Sequence, residues 1–142
     1  MRVRFLEDYI KFLSFFKTQL RYNAGSIIDI INCYSNKGMI SQFLNECTLK
    51  VKNGDSFPKA WDDSIKLIPK EYGLKFDDIN LIKDFGLLLG GSDVEGEIMH
   101  CSLNMKLMQE NLDDAREQKK KKEKLYVMIG FFLGLILAVL FS

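Results

Sequence analysis

Hydrophobic residues recur at three- and four-residue intervals along most of the chain, and alternation with period two is scarce. This spacing is typical of amphipathic helices, so the sequence predicts an all-α fold. The first segment carries a broad apolar stripe that consists of Phe5, Leu6, Tyr9, Phe12, Leu13, Phe15, Phe16 and Leu20. Because a stripe this wide and aromatic is rarely left in water, we expect the first helix to pack against the others.

Four shorter helices are predicted between the first segment and residue 90, each bounded by residues that cap or end a helix. Ser26, Ser56 and Asp77 stand at the starts of the second, fourth and fifth helices. Gly54 stands at the end of the third. The residues expected to face the core from the fourth and fifth helices are Trp61, Ile65, Ile68, Ile79, Ile82, Phe85, Gly86 and Leu89.

The sequence GGSD at residues 90–93 separates the fifth helix from a long last helix, which we expect Asp93 to cap. An apolar seam with four- and three-residue spacing then runs over about three heptads and carries no central polar layer. The seam consists of Val94, Ile98, Cys101, Met105, Met108, Leu112 and Ala115, with Leu103 and Leu107 as a second stripe. No helix breaker follows, so one helix is predicted from about residue 93 to 141, roughly 70 Å long.

The end of this helix is predicted to cross a membrane. Residues 125–141 are 17 uncharged, apolar residues, which as a helix extend roughly 26 Å, the short end of what spans a bilayer. Gly130 and Gly134 form a small-xxx-small face, which is either a packing site for another membrane helix or incidental composition. The expected architecture is a small helical bundle whose long last helix continues into a C-terminal transmembrane helix.

A run of lysines precedes the predicted span and indicates its orientation. It contains Lys119, Lys120, Lys121, Lys122 and Lys124. Basic residues beside a span stay on the cytoplasmic side, and they can contact anionic lipid headgroups. We therefore predict a cytoplasmic helical domain at 1–118, a basic juxtamembrane segment at 119–124 and a transmembrane helix at 125–141.

Charge and cysteine content narrow the function classes. The first 118 residues carry 15 basic and 18 acidic side chains, which argues against nucleic acid binding. The three cysteines, Cys33, Cys47 and Cys101, are an odd number without a close pair, which favours buried thiols in a reducing compartment. The N-terminal segment carries charges inside its apolar stretch, so it does not fit a signal peptide.

No pattern in the sequence predicts catalysis, a metal site or a cofactor. Asp84, Phe85 and Gly86 match the magnesium-binding triplet of protein kinases, but the other kinase motifs are absent and the triplet lies within a helical pattern. His100 is the only histidine and is expected on the surface opposite the seam. Adjacent carboxylates such as those at 62–63 and 113–114 lie at helix starts or on solvated faces.

Several segments together resemble the stage III sporulation protein AB family of endospore-forming bacteria. Members of that family carry Phe-Gly-x-x-Leu-Gly-x-x-Asp before their long last helix, and Phe85, Gly86, Leu89, Gly90 and Asp93 match this motif. The segments QLRYNAGSIIDII, SFPKAWDDSI and KLYVMIGFFLGL are similar to further segments of the family, in the same order. The resemblance covers nearly the whole chain.

The sequence departs from the family pattern at three points. Family members usually begin with a transmembrane helix, whereas this sequence opens on what looks like the first cytoplasmic helix. We therefore expect either that the true start lies upstream or that this member is truncated. Ser26 and Ile27 replace a proline-leucine pair, and Glu97 stands where glutamine is usual. Neither substitution is expected to disturb a helical fold.

The resemblance implies a non-catalytic structural subunit that is similar to the cytoplasmic helical domains of type II secretion platform proteins. Such a subunit would belong to the transenvelope channel between mother cell and forespore, with its domain facing the mother-cell cytoplasm. Its expected partners are an ATPase of the same system, other membrane subunits and membrane lipids, and it could form a homo-oligomer. The resemblance implies no cofactor.

Two other functions fit parts of the sequence. A tail-anchored tethering or adaptor protein also combines a heptad helix, a basic segment and a terminal span in that order. The short seam without a polar layer disfavours this alternative. A membrane-tethered enzyme is the third hypothesis, and no sequence motif supports it.

Overall fold

A computed structural model describes residues 1–22, 26–34, 38–90 and 93–142. This part of the chain forms helices and contains no strand, so the predicted all-α fold is confirmed. The α-helices are α1 (Arg2–Tyr22), α2 (Ile27–Tyr34), α3 (Ser41–Lys52), α4 (Phe57–Ile65), α5 (Phe76–Leu88) and α6 (Val94–Leu140), and a 3-10 helix spans Lys70–Tyr72. The chain divides into two compact units, Met1–Leu112 and Asp113–Ser142.

The broad apolar stripe of α1 lies in the core of the first unit, as predicted. Its buried residues are Phe5, Leu6, Tyr9, Phe12, Leu13 and Phe16. Phe15 and Leu20, at the edge of the stripe, are only partly buried. The ring of Phe12 contacts Trp61 of α4 and Phe85 of α5, with centroid distances of 6.5 and 6.3 Å. Aromatic contacts therefore join helices that are far apart in sequence.

Two of the predicted helix ends are present, and one lacks its cap. The Oγ of Ser26 accepts a hydrogen bond from the Asp29 backbone N–H at 3.2 Å, at the start of α2. Gly54 follows α3 with a φ of +103°, a conformation that glycine adopts without strain. Ser56 occupies the position before α4, but its side chain makes no capping hydrogen bond. The residues between α1 and Ser26, and those at 35–37, lie outside the described part of the chain.

The predicted cap at Asp77 is wrong. Helix α5 begins at Phe76, and it is Asp78 whose Oδ2 accepts a hydrogen bond from the Lys75 backbone N–H at 2.8 Å. Asp77 is exposed, whereas Asp78 is fully buried. The difference has a tertiary cause, because only Asp78 lies on the face of α5 that meets Arg2 of α1.

Most of the predicted core face in α4 and α5 is buried. Trp61, Ile65, Ile82, Phe85, Gly86 and Leu89 are all buried. Ile68 lies beyond the end of α4 and Ile79 lies in the first turn of α5, and both are partly exposed. The periodicity therefore places the centre of each helix face correctly and misplaces residues at its ends.

Helix α6 follows the predicted seam through its middle. Ile98, Cys101, Met108, Leu112 and Ala115 are buried. Val94, in the first turn, is 52% exposed, and Met105 is partly exposed. The seam positions carry no polar residue, but Glu97 and Asn104, which flank the seam, are also buried.

The second unit, Asp113–Ser142, contains the C-terminal part of α6. Every residue from 116 to 142 is exposed, including the whole apolar run. None of the most apolar stretch of this helix is buried. The helix is thus long and apolar enough to cross a membrane.

Candidate functional site

The motif that carries the family resemblance ends α5 and begins α6. Gly86 faces the indole of Trp61 so closely that a Cβ added at residue 86 would lie 2.0 Å from Trp61 Cδ1. The indole is held there because its Nε1 donates a hydrogen bond to the Ile82 carbonyl at 2.7 Å. Phe85 packs against the same indole, with a centroid distance of 5.5 Å. Glycine at residue 86 is therefore required for α4 and α5 to approach each other.

The rest of this motif shapes the connection to α6. Leu89 is buried, and Gly90 has a φ of +84°. The Gly90 backbone N–H donates a hydrogen bond to Glu97 Oε1 at 2.7 Å. The predicted cap of α6 is present, since Asp93 Oδ1 accepts a hydrogen bond from the Gly96 N–H at 2.9 Å. Gly91 and Ser92, which belong to the predicted turn, lie outside the described residues.

A column of polar side chains joins α6 to its neighbours in the first unit. Glu97, Asn104 and Asn111 are seven residues apart, so they lie on one face of α6. Asn104 Nδ2 donates to the Leu81 carbonyl at 2.8 Å, and its Oδ1 accepts from the Tyr9 hydroxyl at 2.9 Å. Burial raises the pKa of Tyr9 well above its usual value, so the phenol stays protonated and keeps donating. The column fixes the register between α5 and α6.

Asp78 is a buried carboxylate that accepts hydrogen bonds from three other residues. Arg2 Nε donates to its Oδ2 at 2.7 Å, and Arg2 Nη2 donates to its Oδ1 at 3.1 Å. Asn111 Nδ2 donates to Oδ1 at 2.8 Å, and the Lys75 N–H completes the set. Burial by itself raises the pKa of Asp78, but these hydrogen bonds and the charge of Arg2 outweigh it and hold the pKa below the usual value. One ionised carboxylate thus connects α1, α5 and α6.

The basic segment and the predicted packing glycines lie in the second unit. Lys119, Lys120, Lys121, Lys122 and Lys124 are all exposed, and Lys121 Nζ lies 3.5 Å from Glu117 Oε1. A Cβ added at Gly130 or Gly134 would have no atom within 4 Å. Both glycines are therefore open to another helix, which is the property that a small-xxx-small face requires.

The side chains that could carry chemistry are dispersed. Within residues 1–22, 26–34, 38–90 and 93–142, no group of three or more His, Cys, Asp or Glu side chains could hold a metal ion. Cys47 and Cys101 are buried, and burial raises the pKa of each thiol to about 12, so neither ionises near neutral pH. The prediction that all three cysteines are buried is wrong, because Cys33 is exposed on α2. His100 is partly exposed on α6.

The fold and these sites define a class: an all-helical protein whose C-terminal helix is apolar enough to associate with a membrane. The family model for Stage III sporulation protein AB matches residues 1–142. The chain therefore belongs to the Stage III sporulation protein AB family, as the residues of the motif predicted.

Two known proteins are similar to this chain. Stage III sporulation protein AB of Bacillus subtilis (strain 168) is 32% identical over 89 residues, which cover 63% of this chain and 52% of that protein. The match thus spans about half the length of the curated relative. A solved structure of Stage III sporulation protein AB (SpoIIIAB) superposes with a TM-score of 0.73 over 82% of this chain and 94% of that chain. At 19% identity, this second likeness concerns the fold. The family is a sporulation family, and neither description indicates a catalytic activity.

Proposed function

We propose that this protein is a non-catalytic, membrane-anchored structural subunit of a channel that is assembled during endospore formation. The observation that carries the proposal is that the first and last parts of α6 have different surroundings. Its first part supplies a buried seam to the helical body, and its last part is an entirely exposed apolar run. A helix of this kind suits a scaffold, because it holds a folded surface at a membrane without needing a reactive centre.

The proposal places the helical body on the cytoplasmic side, which is the mother-cell side during sporulation. Five lysines precede the apolar run, and basic residues close to a span are retained in the cytoplasm. The same lysines are exposed and would contact anionic headgroups, at about 1 kcal/mol for each lysine near the surface. The basic segment would thus set both the orientation and the depth of the helix.

The burial of the seam argues against the tethering alternative. A tethering coiled coil needs an apolar seam that is free to pair with another chain. In this protein Ile98, Cys101 and Met108 are covered by the chain's own helices. Asn104, next to the seam, is hydrogen-bonded to the Tyr9 hydroxyl and to the Leu81 carbonyl. The seam is therefore used within the body, and partners would bind elsewhere.

The proposed partners are an ATPase of the sporulation system and other membrane subunits. Photocrosslinking in sporulating cells tests this directly. A photoreactive amino acid is placed at Leu133 in the apolar run, at Leu107 on the body, and at Leu49 on α3 as a control of similar exposure. The function predicts crosslinks from Leu133 to membrane subunits of the sporulation channel and from Leu107 to a soluble or peripheral component. Crosslinks from Leu133 to lipid alone, with spore formation unaffected by deletion of the gene, would contradict it.

A further inference from the structure

Helices α5 and α6 run antiparallel, and three hydrogen bonds fix their register. Asn111 binds Asp78, Asn104 binds the Leu81 carbonyl, and Glu97 binds the Gly90 N–H. Along this register, residues of α5 from 77 to 88 lie level with residues of α6 from 110 back to 99. The outer edges of the two helices therefore border one surface, which is hollowed at the end near Asp77 and Glu110.

The groove combines apolar and acidic side chains. On α5 its edge consists of residues that recur at helical spacing, namely Asp77, Leu81, Asp84 and Leu88. On α6 the matching edge consists of Met99, Leu103, Leu107 and Glu110. Asp77, Leu81, Leu107 and Glu110 line one open depression at the end of these rows. We call this surface the α5–α6 groove.

The apolar side chains of the groove are unusually exposed for a folded body. Met99 is 72% exposed, Leu103 56% and Leu88 47%, and Leu107 is 37% exposed at the floor of the depression. Contiguous apolar surface of this kind is rare on monomeric proteins and typically marks a binding site. The spacing of Met99, Leu103 and Leu107 gives the stripe the length of about two helical turns.

The charges around the stripe are predominantly negative. Asp77, Asp84, Glu95 and Glu110 are exposed, and none of them forms an ion pair within the described part of the chain. Lys83 of α5 is bound to Asp62 of α4, with Nζ and Oδ1 3.6 Å apart. Lys106 is exposed and lies seven residues from Met99, so it shares that face of α6 and places one positive charge beside the stripe. The groove is thus apolar along its centre and mainly acidic at its rim.

We infer that the α5–α6 groove binds an amphipathic helix of a partner protein, with lysine or arginine side chains flanking its apolar stripe. A third helix laid along two antiparallel helices would cover Met99, Leu103 and Leu107, and its basic flanks would meet the acidic rim. The inference rests on the proposed function, because it names the surface that a partner of the scaffold would occupy.

The charge of the rim disfavours other occupants. A second copy of the chain, paired through the same surface about a two-fold axis, would bring the acidic rims of both copies together. Anionic lipid headgroups would meet the same negative charges. A basic helix is the occupant whose charge complements the four exposed carboxylates of the rim.

Peptide binding to the full chain in phosphatidylcholine nanodiscs tests the inference. The probe is a fluorescent helix of roughly 18 residues, or five turns, with leucine at i, i+3, i+4 and i+7 positions and lysine elsewhere. Its matched partner carries glutamate in place of lysine. Fluorescence anisotropy should show about tenfold tighter binding of the lysine peptide, after subtraction of its binding to empty nanodiscs.

Variants then locate the binding. The double variant Leu103→Gln, Leu107→Gln should weaken the lysine peptide about tenfold. The double variant Asp77→Lys, Glu110→Lys should reverse the preference in favour of the glutamate peptide. The matched controls on α3, Leu49→Gln and Glu46→Lys, should bind as the unmodified protein does.

Three results would overturn the inference. These are equal affinity for both peptides, unchanged affinity in the groove variants, and a concentration-dependent dimer that disappears in Leu103→Gln, Leu107→Gln. The last result would assign the groove to self-association. If peptide binding fails while the crosslinks from Leu133 remain, the inference about the groove is refuted and the scaffold function stands. If the peptide binds as expected but no crosslinks to channel subunits form, the scaffold function is refuted and the inference about the groove stands.

Discussion

Only a hydrogen atom fits between the backbone of residue 86 and the indole of Trp61. In most helices a change from glycine to alanine stabilises, by up to about 1 kcal/mol, because it restricts the unfolded chain. At residue 86 the added Cβ would lie 2.0 Å from Trp61 Cδ1, so the indole has to move away from its hydrogen bond to Ile82. Steric conflict therefore outweighs the helix propensity.

We predict that Gly86→Ala lowers the free energy of unfolding by about 2 kcal/mol, in the range that overpacking of a core costs. Urea denaturation of the full chain in detergent, followed by the fluorescence of Trp61, measures the loss. Trp61 is the only tryptophan and it is buried, so its emission reports on the body. Gly130→Ala is the control, because a Cβ there meets nothing within 4 Å. Equal stability of the two variants would refute the close contact at Trp61.

Asp78 makes the stability of the body depend on pH. Its pKa in the folded protein lies below the usual value, so the folded state favours the ionised carboxylate. This contribution is fully present above the pKa of an unfolded aspartate, near 4, and is lost as the pH falls through the lower folded value. Asp78→Asn removes it. We expect the variant to be less stable at neutral pH, and to lose less stability than the unmodified protein between about pH 5 and pH 2.

Urea midpoints at several pH values test this prediction, with Asp77→Asn as the matched control. Asp77 is the adjacent carboxylate, it is exposed, and it has no ion pair in the described part of the chain. A pH profile for Asp78→Asn that runs parallel to that of the unmodified protein would contradict the role of Asp78.

Asp93 contributes a local effect at the start of α6. Its side chain accepts the Gly96 N–H, which otherwise has no partner within the helix. Asp93→Ala should therefore cost about 1 kcal/mol of stability, the usual value for loss of such a cap. Thermal unfolding by circular dichroism measures the loss, with the exposed Asp114→Ala as control. A melting curve that Asp93→Ala leaves unchanged would place the cap elsewhere.

The residue-scale features that the sequence could predict are those with a local cause. Ser26 and Asp93 cap the helices that follow them at once, so their roles depend on neighbours three residues away. Asp78 is different, because Arg2 selects it over Asp77 from 76 residues away. Chain spacing alone gives no reason to prefer either carboxylate.

At the scale of elements, α6 has a buried face along its first part and is exposed on all sides along its last part. The spacing of its apolar residues predicts the seam, since burial against a flat neighbouring surface repeats with the helical period. The polar column at residues 97, 104 and 111 escapes such a prediction, because polar residues at heptad spacing normally indicate a solvated face. The column becomes recognisable only when α5 is known to lie beside it.

The exposed glycines of α6 lead to a prediction about assembly in the membrane. If Gly130 and Gly134 allow another membrane helix to approach, Gly134→Leu should block that approach while the body stays folded. We expect crosslinked assembly in sporulating cell membranes to fall at least severalfold, with an unchanged melting curve. Val139→Leu, at a site that is 74% exposed, is the control and should assemble normally. Normal assembly of Gly134→Leu would show that the glycines are incidental.

At the scale of the whole molecule, composition and periodicity suffice for the fold class and for the apolar C-terminal helix. They do not suffice for the surface that remains open once the helices have packed. Leu103 and Leu107 were expected to form a second stripe of the seam, and they are exposed beside α5 instead. Periodicity shows that a residue lies on an apolar face, and only the number of neighbouring helices decides whether that face is covered.

A measurement of membrane topology tests the central claim most directly, namely that the part of α6 beyond the seam crosses the membrane and anchors a cytoplasmic body. The chain carries its own reporter, because Cys33 is exposed whereas Cys47 and Cys101 are buried. In non-sporulating cells, a membrane-impermeant maleimide should label Cys33 only after permeabilisation. In the double variant Cys33→Ser, Ser142→Cys, the same maleimide should label residue 142 of the chain in intact cells. Labelling of Cys33 in intact cells, or recovery of the chain in the soluble fraction, would contradict the account.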